Sequence, residues 1–164
     1  MRKPILAAVA VLVLGLAAAF AAFLLGMRTK NPRVQGAVRR FNRAVVNPRQ
    51  MQTAGQPGAE AAVVRHVGRR SGRPYANPVG AVPTGDGFVI ALPYGTTADW
   101  VRNVLAAGGA TIEHEGVAYR VEQPEVLDRA QVAEHFAQEQ GLLDAFNVVD
   151  CLRVRIASVE GSDG

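Results

Sequence analysis

Apolar residues run without a charge from Ile5 to Met27, 23 positions in all. That is the length of a bilayer-spanning helix and exceeds the apolar region of a cleaved leader. The pattern then takes on a helical period. Val34, Val38, Phe41 and Val45 recur at three- and four-residue spacing among Arg33, Arg39, Arg40 and Arg43, which predicts a basic amphipathic helix to about Val46. Asn31 caps it, Pro32 takes its first position and Asn47-Pro48 ends it. Thr53 to Gly58, with two Gly and a Pro, reads as a linker or loop. From Glu60 the period shortens. Strands are expected at Ala61–Val67, Tyr75–Val82, Phe88–Leu92, Ala110–His114, Val117–Gln123 and Cys151–Val159, where Leu152, Val154 and Ile156 alternate with Arg153 and Arg155. Asp86-Gly87 predicts a hairpin turn with positive φ, and Glu115-Gly116 a second turn. Helices are expected from Asp99, with Trp100, Val101, Val104 and Leu105 on an apolar face ending at Gly108-Gly109, over Leu127–Gln140 with Val132 and Phe136 inward, and over Leu142–Val148. The whole predicts an α+β chain: about six mainly antiparallel strands in a small closed or partly closed barrel, with helices inserted, behind a transmembrane helix. The divisions are 1–27 as anchor, 28–58 as juxtamembrane helix and linker, and 59–160 as barrel domain.

Charge sharpens the membrane reading. Residues 28–73 hold 11 of the 18 basic side chains and one acid, Glu60, whereas residues 74–164 hold five Arg, no Lys and 13 acids. Seven of the basic residues lie between Arg28 and Arg49, against Arg2 and Lys3 before the apolar run. The positive-inside rule therefore keeps the barrel on the cytoplasmic side of a single-pass anchor, with membrane lipid as its first partner. Ala19-Phe20-Ala21 leaves a cleaved, secreted form as the minority alternative. Few aromatics interleave the basic residues, so no nucleic-acid partner is expected. Cys151, the one cysteine, reads as a buried structural thiol.

The densest candidate chemistry lies between the first two strands. Gly68 and Gly72 bracket Arg69, Arg70 and Ser71, and Arg73 follows before Pro74. Three guanidiniums, a hydroxyl and backbone N–H groups at one hairpin end suit a phosphate or carboxylate, against the plainer reading of a solvated basic tip. In Asp99-Trp100-Val101-Arg102-Asn103, Trp100 and Asn103 share one helical face near the helix N-terminus, offering an aromatic wall and an amide. Trp100 would otherwise serve as a core anchor. His66, His114 and His135 lack metal-ligand spacing, no metal site is expected, and no nucleophile–base pair is visible.

In order and spacing, Gly-Arg-Arg-Ser-Gly-Arg-Pro on a hairpin, the strand after an Asp-Gly turn, and Trp-x-x-Asn before Leu-Ala-Ala-Gly resemble the deazaflavin (coenzyme F420)-dependent nitroreductase and quinone reductase family. The resemblance covers roughly Ala37 to Ile156. It implies a split β-barrel that binds deazaflavin over 59–160, in which reduced F420 passes a hydride to a quinone, a nitroaromatic or another lipophilic acceptor, with FMN the lesser cofactor. It places Arg69, Arg70 and Ser71 on the cofactor's phosphate and acidic tail. Tyr75, Asn77, Pro78 and Val79 line the ring, and Trp100, Arg102 and Asn103 close the pocket. Pro93-Tyr94-Gly95-Thr96 stands where relatives often carry Ser-Lys-Gly-Gly, and Tyr75 where they often carry Arg. Tyr94 there is expected to stack on a ring. A homodimer is also implied. The main rival is a non-catalytic fatty-acid- or lipid-binding barrel at the membrane, and the third reading a tethered interaction domain. An accessible Arg69–Asn103 pocket favours the reductase, a long apolar tunnel the lipid binder and a filled barrel the interaction domain.

Overall fold

The computed structural model describes residues 2–160, with side chains from residue 8 onward, so Met1 of the expected anchor lies outside the described residues. Helix α1 spans Arg2–Arg28, and its Ala8–Arg28 portion is long and apolar enough to cross a membrane. Helix α2, Pro32–Phe41, begins as its sequence dictates, with the Asn31 side chain accepting from the Arg33 amide. Pro48 does not end the helical run. A π-turn over Asn42–Val46 leads into a further turn, α3, Asn47–Gln50. The wider i→i+5 bonding absorbs the missing proline N–H, with the Asn47 amide bonding to the Asn42 carbonyl. Of the expected apolar stripe, Val34, Val38 and Val45 are half-buried. Gln35 is buried while Phe41 is 58 % exposed.

Seven antiparallel strands follow: β1 Ala62–Val67, β2 Pro74–Val79, β3 Ala81–Pro83, β4 Gly87–Ala91, β5 Gly109–His114, β6 Val117–Asp128 and β7 Asp150–Glu160. They form one sheet in the order β2-β1-β5-β6-β7-β4-β3. The two edge strands are consecutive in the chain, separated only by Gly80. One extended segment thus pairs with β1 through its first half and with β4 through its second. A sheet whose edges are covalently joined in this way must curl, and the result is an open half-barrel of the expected α+β class. Residues 53–58 are no free linker. The Gly55 amide bonds to the Ala61 carbonyl and its own carbonyl accepts from Gly116, which fixes this segment against the β5–β6 turn.

Two cores lie on opposite sides of β4 and β7. Phe88, Ile90, Leu152 and Val154 point inward to meet Val64, Ile112 and Val121, and Val101 and Val104 of helix α4 (Asp99–Ala107) complete this cluster. Val89 and Cys151 face the other way, under Val132, Phe136, Leu143 and Val148. The unbroken apolar run of β4 thus reflects burial on both faces. Packed side chains fill the barrel interior, so the apolar tunnel expected of a lipid binder is missing among the described residues.

The third expected helix starts late. Leu127 completes β6 opposite Cys151, and Asp128 caps a 3₁₀ segment, Arg129–Phe136, by accepting from the Ala130 amide at 2.8 Å. Val132 and Phe136 still point inward, as their spacing requires. A short helix α5, Gln140–Ala145, leads back to β7.

Cys151 is fully buried, and burial pushes its thiol up to about 11. A water-soluble disulfide reagent is expected to leave it untouched in the native chain at neutral pH and to label it after denaturation. Rapid native labelling would mean that the second core is open. Because the folded thiol titrates above the free one, its stabilising contribution is whole below about pH 9 and falls away as pH rises towards about 11.

Candidate functional site

The turn between β1 and β2 is locked at both ends. The Gly68 amide donates to the Arg73 carbonyl and the Gly72 amide to the Gly68 carbonyl, each at 2.8 Å. Gly72 takes φ +65°, and a Cβ on Gly68 would stand 2.5 Å from Ser71 Oγ and 2.7 Å from the Tyr75 ring. Gly72 thus suits the left-handed backbone, and a side chain on Gly68 would displace Ser71 and Tyr75. Ser71 Oγ lies 3.3 Å from Tyr75 Oη and accepts from the Arg73 amide at 3.3 Å. The Arg70 and Ser71 amides take no protein partner among the described residues.

Helix α4 grips this turn. Asn103, only 5 % exposed, accepts through Oδ1 from the Arg69 amide at 3.1 Å and from Arg69 Nη1 at 2.9 Å. Its Nδ2 lies 3.2 Å from His66 Nδ1, and His66 Nε2 lies 3.0 Å from Asn77 Oδ1. These roles fit one orientation: the Asn103 amide donates to Nδ1, and the imidazole donates from Nε2 to Asn77. A continuous polar chain thus runs from α4 through β1 to β2, with Tyr75 stacked on the imidazole at 5.8 Å between centroids. Asp99 reaches Arg69 at 3.3 Å, but its side chain is mostly exposed. An exposed pair of that kind contributes about 0–1 kcal/mol, so the buried amide is what positions Arg69.

Of the residues expected at the site, the structure joins Arg69 to Asn103 directly, and Asn77 to them through His66. Ser71 and Tyr75 sit together beside them. Pro78 and Val79 are half-buried along β2, and Val79 packs on the inner core. Trp100 is half-buried against that core, while Arg102 points away, exposed. Pro93 is exposed. Tyr94 is tied to the N-terminal helices instead, accepting at its hydroxyl from Asn42 Nδ2 at 2.6 Å. Burial pushes its phenol up, against the opposing pull of Arg39.

His66 and Asp99 join the cluster without having been assigned to it from sequence. The alternation Val64-Arg65-His66 in β1 carries the signal for His66, since it sets the imidazole on the same face as buried Val64. Nothing local signals that Asn42 meets Tyr94, 52 residues away. Among the described residues, Arg70, Arg73 and Arg102 make no ion pair, and no group of His, Cys, Asp and Glu is placed to hold a metal. The site presents an exposed cationic turn, with Arg70 and Arg73 open to solvent. The pockets that stand out lie elsewhere, an open depression of about 390 Å³ along Gln50–Ala61 and a smaller one beside Arg129 and Asp144.

Among solved structures, the chain is similar to the heme storage protein HutZ from Vibrio cholerae, at 14% identity over 60% of this chain and 82% of that one, with a TM-score of 0.48. It is similar also to an F420-H2 dependent reductase, at 12% identity over 58% and 94% of the two chains and a TM-score of 0.43. A further F420 reductase gives 14% identity over 66% and 94%, with a TM-score of 0.43. Comparison with curated proteins gives no match. The profile of the F420H(2)-dependent quinone reductases matches residues 29–142, from the start of the juxtamembrane segment into α5. Matched over most of its length, the chain belongs to the F420H(2)-dependent quinone reductase family and is an oxidoreductase.

Proposed function

We propose that this chain is a membrane-anchored reductase that takes coenzyme F420 at the β1–β2 turn and serves a lipophilic acceptor, a quinone or nitroaromatic, on the cytoplasmic face. The observation that carries the reading is the Asn103–Arg69 clamp, which fixes the cationic turn against a helix of the acidic half that follows it. The donor set fits a polyanion. Arg70 and Arg73 are exposed and unpaired among the described residues, and the Arg70 and Ser71 amides are open. Arg69 keeps N–H groups free beyond those bonded to Asn103 and Asp99. Together they suit the phosphate and acidic tail. Tyr75 and the outward parts of Asn77, Pro78 and Val79 offer the strand edge for the ring, with Trp100 and Asn103 on the α4 side. Exposed Pro93 is assigned to the rim towards the acceptor, whereas Arg102, which points away, and Tyr94, which is held by Asn42, are given no cofactor contact.

Bound in reduced form, the deazaflavin supplies the hydride. The protein's own work is to hold the anionic tail, orient the ring and screen it from water, which explains why no acid–base triad accompanies the turn. The packed barrel interior and family membership support the reductase reading over a lipid-binding barrel and a bare interaction domain. Candidate span Ala8–Arg28 and the basic segment behind it support the membrane placement.

The test is a titration of the full chain, reconstituted in nanodiscs, with oxidised F420 and with FMN, read by fluorescence of Trp100, the single tryptophan. Saturable quenching by F420 and not by FMN is expected. Arg70→Ala and Arg73→Ala should each weaken it by about 1–3 kcal/mol, the usual loss for a charge-assisted bond. Unaltered affinity in both variants would remove the phosphate assignment, and equal quenching by FMN would remove F420 as the cofactor.

A further inference from the structure

The last turns of α1 are built into the barrel. Phe23 meets Phe146 edge-on, with ring centroids 6.2 Å apart. Met27 is buried, and Gly26 lies so close under α2 that a Cβ there would come within 2.6 Å of Val34 Cγ2. Asn147 Nδ2 donates to the Arg28 carbonyl at 3.1 Å. The chain around α5 therefore touches the apolar helix on both sides of the point where its charges begin. Phe23 precedes Arg28 by five positions, roughly 7.5 Å along the helix axis. Phe146 is thus level with the apolar segment itself.

Leu142 precedes Phe146 by four residues and is 59 % exposed, although its neighbour Leu143 is buried in the second core. The one acid of α5, Asp144, is paired with Arg129. Phe41 is as exposed as Leu142 and lies on α2 among Arg33, Arg40 and Arg43. Residues 28–59 carry seven basic side chains and no acid. Exposed apolar side chains beside a membrane-length helix, with arginines around Phe41 and one exposed acid, Glu139, at the N-cap of α5, suit the headgroup boundary of a bilayer.

Resting on the anchored reading above, we infer that α5 is a membrane seat: Leu142 and Phe146 lie in the headgroup–acyl boundary of the bilayer that α1 crosses. The Arg28–Arg43 segment then lies along the anionic headgroups. The burial depth usual for interfacial helices, about 5–10 Å, agrees with the level set by Phe23. The barrel is thereby held in one orientation and does not swing on a tether.

The test places an environment-sensitive NBD label on Leu142→Cys in the full chain, reconstituted in phosphatidylcholine–phosphatidylglycerol vesicles. Native Cys151 is buried and stays unlabelled. A parallel Leu14→Cys label reports on the span. Expected are a blue-shifted emission at 142, strong quenching by lipid with a shallow doxyl group and protection from iodide. Quenching at 14 with water-like, iodide-accessible emission at 142 would overturn the seat and leave the anchor standing. Loss of lipid quenching at both positions would overturn the anchor and the seat together. A blue-shifted 142 label that doxyl lipid does not reach would mean that protein, such as a second copy, covers Leu142, and would also overturn the seat.

Discussion

Gly87→Ala is expected to destabilise the barrel by about 3 kcal/mol, the upper end of what overpacking costs, because nothing near it can yield. Gly87 opens β4 opposite Arg155 of β7. A Cβ there would press into the Val154 carbonyl well inside contact distance and stand 2.9 Å from the Arg155 Cα. Both are backbone atoms of a paired strand, so relief requires β7 to move away from β4. That movement would open both cores at once, since Phe88 and Val154 lie on one side of the ladder and Val89 and Cys151 on the other. Gly85, two positions earlier, has open space around it, and Gly85→Ala is the matched control. Thermal unfolding of the reconstituted chain followed by Trp100 emission should show a large drop for the first variant and almost none for the second. Equal behaviour would mean that β4 and β7 are not held as close as described.

The same glycine shows what periodicity conveys and what it omits. Asp86-Gly87 correctly marks a turn, with the Thr84 amide closing on the Gly87 carbonyl at 2.9 Å. The expected positive φ is missing at Gly87, which is needed for strand approach and not for left-handed backbone. At Glu115-Gly116, by contrast, both residues take positive φ and the local signal was sufficient. Local chemistry also located Asn31 as a cap and most strand positions. Long-range pairing decided the rest. Leu127 looks helical by spacing but is claimed by Cys151 across the sheet. Phe41 belongs to the apolar stripe by spacing yet stays exposed, whereas Asn42 beside it docks because Tyr94 supplies a partner. At the candidate site the basic turn and Asn103 were legible. Their union came only through the family resemblance, because it depends on α4 lying against β1.

Asn103→Leu is expected to cost about 2–4 kcal/mol, since it preserves volume but orphans the Arg69 amide and His66 Nδ1 at a buried position, each worth about 1–3 kcal/mol. The exposed Asp99 contact cannot make up the loss. With its clamp gone, the turn should also bind the cofactor's anionic end more weakly. A stability loss alone would not establish that the polar chain acts as a unit, so the decisive measurement is a double-mutant cycle with His66→Leu. His66→Leu by itself strands the Asn103 Nδ2 and removes the donor to Asn77 Oδ1. The double variant replaces both members of the buried contact with apolar groups, a change that approaches neutrality where the single ones do not. Its destabilisation should therefore be smaller than the sum of the two. The coupling should lie within the range of about 0.5–3 kcal/mol found for contacting residues. Strict additivity would mean that Asn103 and His66 are held independently and that Asn103 clamps Arg69 without help from the imidazole.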